Sequence, residues 1–232
     1  MKKSAVKKDL SPPDPMAVDS EDREVALARS AEVKELISDF LQARDRIPTG
    51  LKLEKEYEKA KKKILRVLGG EGKDWQNYRW HLKNRITDVD TLGEIIRLTQ
   101  KEIREIRKTS EIYRWGISPY YASLMDPEDR ECPVRLQAVP SIRERLDTSE
   151  IKDPMIIKYN SPAPLISRLY PDRLIINVTN MCSMFCRHCL RRKDIGHKDL
   201  IYSRSELRQA LDYIRENEEI RDVLLTGGDA LA

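Results

Sequence analysis

The stretch LIINVTNMCSMFCRHC, residues 174–189, decides the fold of this chain. It opens with an apolar run, residues 174–178, that predicts a buried β-strand. The thiols of Cys182, Cys186 and Cys189 follow within eight residues of one another, so they lie on the loop at the carboxyl end of that strand. Sheets and barrels of the α/β class place their chemistry on such loops. Residues 182–189 are called the three-thiol loop below.

Closely spaced thiolates are soft ligands that can converge on one metal centre. In a four-iron cluster, three protein ligands leave one iron open to a small molecule. Zinc is the alternative, because the same thiols with His188 or His197 make a Cys3His set. Structural zinc commonly pairs two ligand clusters across an intervening segment, and this sequence has one. A disulfide is less favoured, since nothing marks the chain as secreted. Cys132 lies far upstream and is interpreted as a structural or free thiol.

A second unit of structure follows the three-thiol loop. Residues 203–217 carry apolar side chains at helical spacing, with Ser203 or Ser205 as the cap. A second buried strand is predicted at residues 223–225, running directly into a Thr-Gly-Gly-Asp turn, residues 226–229. A strand, a helix and a second strand predict a right-handed parallel crossover. The apolar positions of the helix are Leu207, Ala210, Leu211 and Ile214.

With these features one crossover apart, the chain resembles the radical S-adenosylmethionine (SAM) enzymes, and within them the lysine 2,3-aminomutase family. The resemblance covers residues 30–232 and is most specific in the last third. It is carried by the CxxxCxxC loop and by the segments MCSMFCRHCLRR (181–192), YPDR (170–173), DVLLTGGDAL (222–231), ISPYYASLMD (117–126) and RLQAVP (135–140).

The resemblance implies an α/β fold, in which a helical amino-terminal region precedes the first strand-helix-strand unit of an incomplete radical SAM barrel, a partial TIM-like barrel. It implies an isomerase that moves the α-amino group of glutamate or lysine to the β-carbon through a 5′-deoxyadenosyl radical. The segments RLQAVP and PDRLIINVTN favour glutamate. The implied cofactors are a four-iron four-sulfur (4Fe-4S) cluster, SAM and pyridoxal 5′-phosphate (PLP). The implied partners are the small amino-acid substrate, an electron donor such as a flavodoxin or ferredoxin, and further copies of the full-length chain.

Residue roles carry over only where residues match the family. The resemblance assigns the cluster to Cys182, Cys186 and Cys189, SAM to His188, Gly227, Gly228 and Asp229, the substrate carboxylate to Arg191, and the vicinity of PLP to Tyr170 and Arg173. Without the family, composition favours the interpretation of Arg191 as a surface arginine in a basic run. Two glycines let a backbone approach a ligand closely, and an aspartate can receive an ammonium group.

The chain departs from the family in two places. Leu169 stands where an arginine is expected beside PLP, and we expect Arg168 to take that place or the contact to be lost. The chain ends at Ala232, whereas the barrel needs further units and the PLP-bearing lysine. We therefore expect a truncated family member that does not catalyse alone. The alternative is a non-catalytic metal-binding or interaction fragment.

Composition limits the remaining classes. With 232 residues, 40% of them apolar, the chain can bury a core, and its net charge of +4 argues against a dedicated nucleic-acid binder. No signal peptide or membrane-spanning run is present, so we expect a cytoplasmic protein. The expected organisation is a disordered arm (1–20), an α-helical region (21–150) and the start of the barrel (151–232).

Several helices are predicted in the helical region. Residues 21–46 form an amphipathic helix and residues 53–68 a second, which stops at Gly69. The rings of Trp75 and Tyr78 are interpreted as core anchors rather than a base-stacking platform. Thr99 to Glu102 has the capping-box pattern and begins another helix.

Overall fold

A computed structural model describes residues 20–47, 50–147, 151 and 153–231 of the chain. The chain divides into two compact units, with the boundary between Leu53 and Glu54. The predicted disordered arm lies outside the described residues except for Ser20, which begins a helix. The domain boundary near residue 150 stays a prediction. None of the helices among the described residues is long and apolar enough to cross a membrane.

The first unit contains helices α1 (Ser20–Glu35) and α2 (Ser38–Ala43) and a 3-10 turn (Gly50–Leu53). The prediction of one continuous amphipathic helix over residues 21–46 is therefore wrong. The break occurs where the Ile37 N–H donates to the carbonyl of Lys34, three residues back instead of four. The predicted apolar side chains are also exposed, because nothing in this unit's described residues covers them. They are Val33, Leu36, Ile37, Phe40 and Leu41.

The second unit begins with helices that share one apolar core. The core is built mainly from isoleucine and leucine side chains, among them Ile64, Leu92 and Ile106. The helices of the whole second unit are α3 (Glu54–Leu68), α4 (Tyr78–Lys83), α5 (Val89–Ile95), α6 (Gln100–Ser110), α7 (Pro119–Ser123), α8 (Pro133–Leu136), α9 (Arg143–Leu146), α10 (Arg192–Ile195) and α11 (Arg204–Arg215), with 3-10 turns at Asp74–Gln76 and Ile157–Tyr159.

Two of the predicted helix signals are confirmed in atomic detail. Helix α3 ends at Gly69, whose φ of 67° is in the left-handed region that glycine adopts without strain. Thr99 and Glu102 form the predicted capping box at α6, in which the Glu102 N–H donates to Thr99 Oγ1 at 3.2 Å and the Thr99 N–H donates to the Glu102 carboxylate at 2.8 Å. Both signals are local, so sequence alone is enough to find them.

The aromatic segment is a core anchor only in part. Trp75 packs against the core cluster, and its ring centroid lies 5.0 Å from that of His81. Tyr78 is 58% exposed, so its assignment to the core is wrong. The helix α4 begins at Tyr78 with Asn77 as its cap, and this start turns the tyrosine ring outward from the core.

A three-stranded sheet carries the candidate site. Its strands are β1 (Ile166–Ser167), β2 (Arg173–Thr179) and β3 (Asp222–Gly227), in the order β1-β2-β3. Strands β2 and β3 are parallel and α11 connects them, which confirms the predicted strand-helix-strand unit. Ser203 caps α11 as predicted, in a second capping box with Glu206. The antiparallel strand β1 was not anticipated from the sequence.

The two parallel strands differ in burial. Leu174 and Ile176 of β2 are buried against Ala210 of α11, as the apolar run predicts. The prediction that residues 223–225 of β3 are buried is wrong, since Leu224 is 59% exposed and its two neighbours are also exposed. Within the described residues β3 pairs with β2 alone, and its other side is uncovered. For the same reason Leu211, on the outer side of α11, is exposed.

Candidate metal centre

The three-thiol loop begins at the carboxyl end of β2, where the sequence predicts it. Cys182, Cys186 and Cys189 are free thiols and each is partly buried. Burial, together with the neighbouring thiol of Cys189, raises the pKa of Cys182 to about 11, and the same two causes raise the pKa of Cys186. The thiols are therefore close enough to disfavour each other's ionised form. A bound cation would remove that penalty and displace their protons.

The donor set fits a metal group that takes thiolate ligands. The three cysteines are free thiols on one loop, and each thiolate ligand of an iron-sulfur cluster binds a different iron atom. Among the described residues, no three His, Cys, Asp or Glu side chains are arranged to hold a single metal ion. Zinc also takes thiolate ligands, so the assignment of an iron-sulfur cluster stays a prediction.

The middle of the three-thiol loop is fixed to the helical region. Phe185 is 2% exposed, and its N–H donates to the carbonyl of Gly116 at 3.0 Å. Two residues later, the Arg187 N–H donates to the carbonyl of Gln137 at 2.8 Å. A side chain at Gly116 would press on the Phe185 ring, since a Cβ there would lie 3.2 Å from it. The loop is thus packed into the helices as well as suspended from the sheet.

Two charged side chains lie over Phe185, and a third joins them. The guanidinium carbons of Arg85 and Arg114 lie 5.4 and 4.4 Å from its ring centroid, and both arginines donate to the carboxylate of Asp199. Burial alone would raise the pKa of Asp199, but the hydrogen bonds from the two arginines hold that pKa below its usual range. Sequence reasoning missed these three residues, because nothing local relates positions so far apart in the chain.

A second charged group holds the outer part of the loop. Glu144 accepts from Arg187 at 3.0 and 2.6 Å, and Arg192 forms an ion pair with the same carboxylate at 2.9 Å. The Arg187 and Glu144 side chains are only 7% and 12% exposed. Sequence reasoning also missed this pair, which holds the arginine that lies between two of the cysteines, and the Arg187 charge opposes the rise in the pKa of Cys186.

We expect Glu144→Gln to lower the free energy of unfolding by about 3 kcal/mol, because it leaves the buried Arg187 guanidinium without its charge partner. Urea denaturation of the metal-free chain measures the change. The matched control is Glu111→Gln, which removes an exposed carboxylate paired with Arg145 at 3.3 Å and should cost less than about 1 kcal/mol. Equal effects of the two substitutions would contradict the assignment of a buried pair.

The Gly-Gly-Asp turn lies directly on the backbone that precedes the thiols. The Gly228 N–H donates to the carbonyl of Thr179 and the Asp229 N–H to that of Met181, each at 2.6 Å. The Asp229 N–H also interacts with the Cys182 thiol and moderates its raised pKa. A Cβ at Gly228 would overlap the Met181 carbonyl. The glycines thus permit a close approach to the chain's own backbone, and their predicted close approach to a ligand, SAM, stays a prediction.

Arg191 lies over the carboxyl ends of the parallel strands. Its guanidinium donates to Thr226 Oγ1 at 2.7 Å and to Asn177 Oδ1 at 3.4 Å. It is therefore not a solvated member of a basic run, although its role as a carboxylate clamp stays a prediction. Beside these strand ends is a cavity of ≈160 Å³. Its lining is mostly polar and consists of Leu165, Asn177, Thr179, Asn180, Asp194, Ile195, Tyr202, Gly227 and Gly228.

The remaining predicted site residues, His188, Tyr170 and Arg173, are all exposed. His188 is exposed on the loop surface. Tyr170 is 61% exposed, and Arg173 lies over its ring at 5.8 Å. Arg173 is the first residue of β2, whereas the three-thiol loop follows the last residue, Thr179. The two residues predicted near PLP therefore lie at the opposite end of the strand.

Arg168 is held by other contacts. Its guanidinium donates to the Tyr213 hydroxyl at 2.8 Å and to the Glu219 carboxylate at 2.6 Å, which fixes the segment before β2 to the end of α11. These contacts leave Arg168 in a structural position, so its expected substitution for the arginine missing at Leu169 is not supported by this arrangement.

Comparison with known proteins gives close relatives. No protein-family model matches the chain. The chain is 54% identical over 212 residues to a glutamate 2,3-aminomutase of Clostridioides difficile (strain 630), a match of 91% of this chain and 50% of the relative. It is 42% identical over 159 residues to an L-lysine 2,3-aminomutase of Clostridium subterminale, covering 68% of this chain and 38% of the relative. The L-lysine 2,3-aminomutase of Bacillus subtilis (strain 168) is 41% identical over 158 residues, with 68% of this chain and 34% of the relative covered. The chain spans about half the length of the most similar of these relatives.

Proposed function

We propose that this chain, which belongs to the lysine 2,3-aminomutase family of radical SAM enzymes, functions as a 2,3-aminomutase that acts on glutamate. The observation that carries the proposal is a loop of three thiols at the carboxyl end of β2, with the Gly-Gly-Asp turn bonded to the backbone just before it. The identity of 54% to a glutamate enzyme, against 42% to a lysine enzyme, supports glutamate as the substrate.

In this proposal the three thiolates hold a 4Fe-4S cluster. When bound and reduced, such a cluster supplies the electron that cleaves SAM to a 5′-deoxyadenosyl radical. The protein's part is to position the groups and keep water away. The partly buried loop shields the thiols, and the carboxylate of Asp229 is placed after the Gly-Gly turn to receive an ammonium group. Arg191, held by Thr226 and Asn177, offers a two-pronged guanidinium to a carboxylate.

Further partners are proposed on family membership alone. They are an electron donor such as a flavodoxin or ferredoxin and further copies of the chain. The residues that match the family's PLP segment do not fit a PLP site by themselves, since Tyr170 and Arg173 are exposed at the amino end of β2. No step of the reaction is therefore assigned to PLP from the residues of this chain.

Anaerobic reconstitution tests the proposal. The purified chain is loaded with iron and sulfide, reduced chemically, and given SAM, and the release of 5′-deoxyadenosine is measured. We expect a brown protein with about four iron atoms per chain and measurable cleavage of SAM. Stoichiometric zinc with no cluster, or a cluster that leaves SAM intact, would reject the proposal and support a non-catalytic metal-binding or interaction fragment.

A further inference from the structure

Asp199 joins two largely buried guanidinium groups. The side chains of Arg85 and Arg114 are 12% and 17% exposed, and Asp199 is the only carboxylate with which either of them forms an ion pair in the described part of the chain. Arg85 Nε is buried and makes no hydrogen bond. Without Asp199, two like charges would lie against the Phe185 ring with no anion between them.

The two arginines contact the three-thiol loop at its beginning, in its middle and near its end. Arg85 donates to the carbonyl of Cys182 at 2.7 Å. Both guanidinium groups lie over Phe185 in the middle. Near the end, the main-chain carbonyl of Arg114 accepts from the Arg187 guanidinium at 3.2 Å. A displacement of either arginine would therefore move the backbone that carries the thiols.

Asn180, which lies two residues before the three-thiol loop, fixes the position of Asp199. Asn180, 2% exposed, donates to the carbonyls of Ile195 and Lys198 at 2.9 Å each. Its side-chain oxygen accepts from the Leu200 N–H at 2.7 Å. The chain thus leaves the loop, passes through α10 and returns to the point at which the loop began, with Asp199 turned toward the two arginines.

We propose that Asp199 is a positioning residue for the three-thiol loop, holding Arg85 and Arg114 against Phe185 so that the loop has its shape before any cluster binds. This inference rests on the proposed function only for the identity of the bound group. The contacts are made by the chain's own side chains and main chain, so the positioning role can be measured without a bound cluster.

The same contacts predict an electrostatic effect on a bound cluster. The Arg85 charge lies at the carbonyl of Cys182, and Asp199 partly neutralises it. A nearby positive charge favours the reduced, more negative state of a cluster and raises its reduction potential. Removing the Asp199 charge should therefore raise the potential, and removing the Arg85 charge should lower it.

The first test is hydrogen exchange of the metal-free chain, followed by mass spectrometry. In Asp199→Asn we expect amides of residues 182–189 to exchange about tenfold faster or more, while α6 is unchanged. Asp90→Asn is the matched control, because Asp90 pairs with Arg107 on the surface, where its side chain is 76% exposed. Unchanged exchange in the loop of a folded Asp199→Asn variant would overturn the proposal. If that variant does not fold, Phe185→Leu tests the same contacts, and unchanged loop exchange there would equally overturn it.

The second test is the midpoint potential of the reconstituted cluster in Asp199→Asn and Arg85→Gln. Opposite shifts, positive in the first and negative in the second, support the electrostatic effect of these charges on the cluster. General loosening of the loop would shift both in one direction, and that result would overturn the electrostatic assignment. If the unsubstituted chain takes up no cluster, the proposed function fails, whereas the exchange experiment still decides the role of Asp199.

Discussion

Cys186→Ala is expected to abolish cluster binding and SAM cleavage together. The substituted chain should remain colourless after anaerobic reconstitution, and its iron content should fall from about four atoms per chain to nearly none. The reason is that each of the three thiolates would bind a different iron atom of the cluster, so the loss of one leaves two irons without a protein ligand. Iron analysis, visible absorbance and 5′-deoxyadenosine release measure the effect.

Cys132→Ala is the matched control for that substitution. Cys132 is a buried free thiol whose sulfur accepts from the Asp126 N–H at 3.4 Å, and it lies outside the three-thiol loop. Its loss should lower the free energy of unfolding by about 1 kcal/mol and leave iron content unchanged. A brown, SAM-cleaving Cys186→Ala protein would show that the loop is not the cluster site.

Gly228→Ala is expected to lower both the stability of the protein and its activity. The added methyl would overlap the main-chain carbonyl of Met181, and neither backbone can yield as a flexible side chain would. We expect the free energy of unfolding to fall by about 3 kcal/mol. The displaced backbone directly precedes Cys182, so SAM cleavage by the reconstituted protein should fall as well. Urea denaturation and the deoxyadenosine assay measure the two effects.

Gly72→Ala provides the comparison, because a Cβ at Gly72 would have no heavy atom within 4 Å. Its effect on stability should be within about 0.5 kcal/mol. Should Gly228→Ala prove as stable as Gly72→Ala, the close contact between the Gly-Gly-Asp turn and the approach to the three-thiol loop would be wrong.

The sequence predicts those features of this protein that depend on neighbouring residues. The capping boxes at Thr99 and Ser203, the end of α3 at Gly69 and the parallel pair joined by α11 all follow from short patterns. The position of the thiols after β2 follows from the same kind of signal. Each of the signals lies within about ten residues, because hydrophobic periodicity and helix capping act over that range.

The features that sequence reasoning missed depend on contacts across the chain. Arg85 reaches the carbonyl of Cys182, and Glu144 reaches Arg187, although nothing in the intervening text marks either pair. Arg191 is a further example. Composition predicts a surface arginine in a basic run, whereas in the structure its guanidinium donates to Thr226 over the strand ends. The exposure of β3 was missed for a related reason, since an apolar run shows what a strand can bury and not what covers it.

The uncovered strand has a practical consequence for work with the purified protein. In the described part of the chain, the outer backbone N–H and C=O groups of β3 have no partner strand, and apolar side chains flank them. Such an edge is a template for adding another strand. In a concentrated solution of these 232 residues, β3 is therefore a site at which two molecules can pair, and dilution would reduce that association.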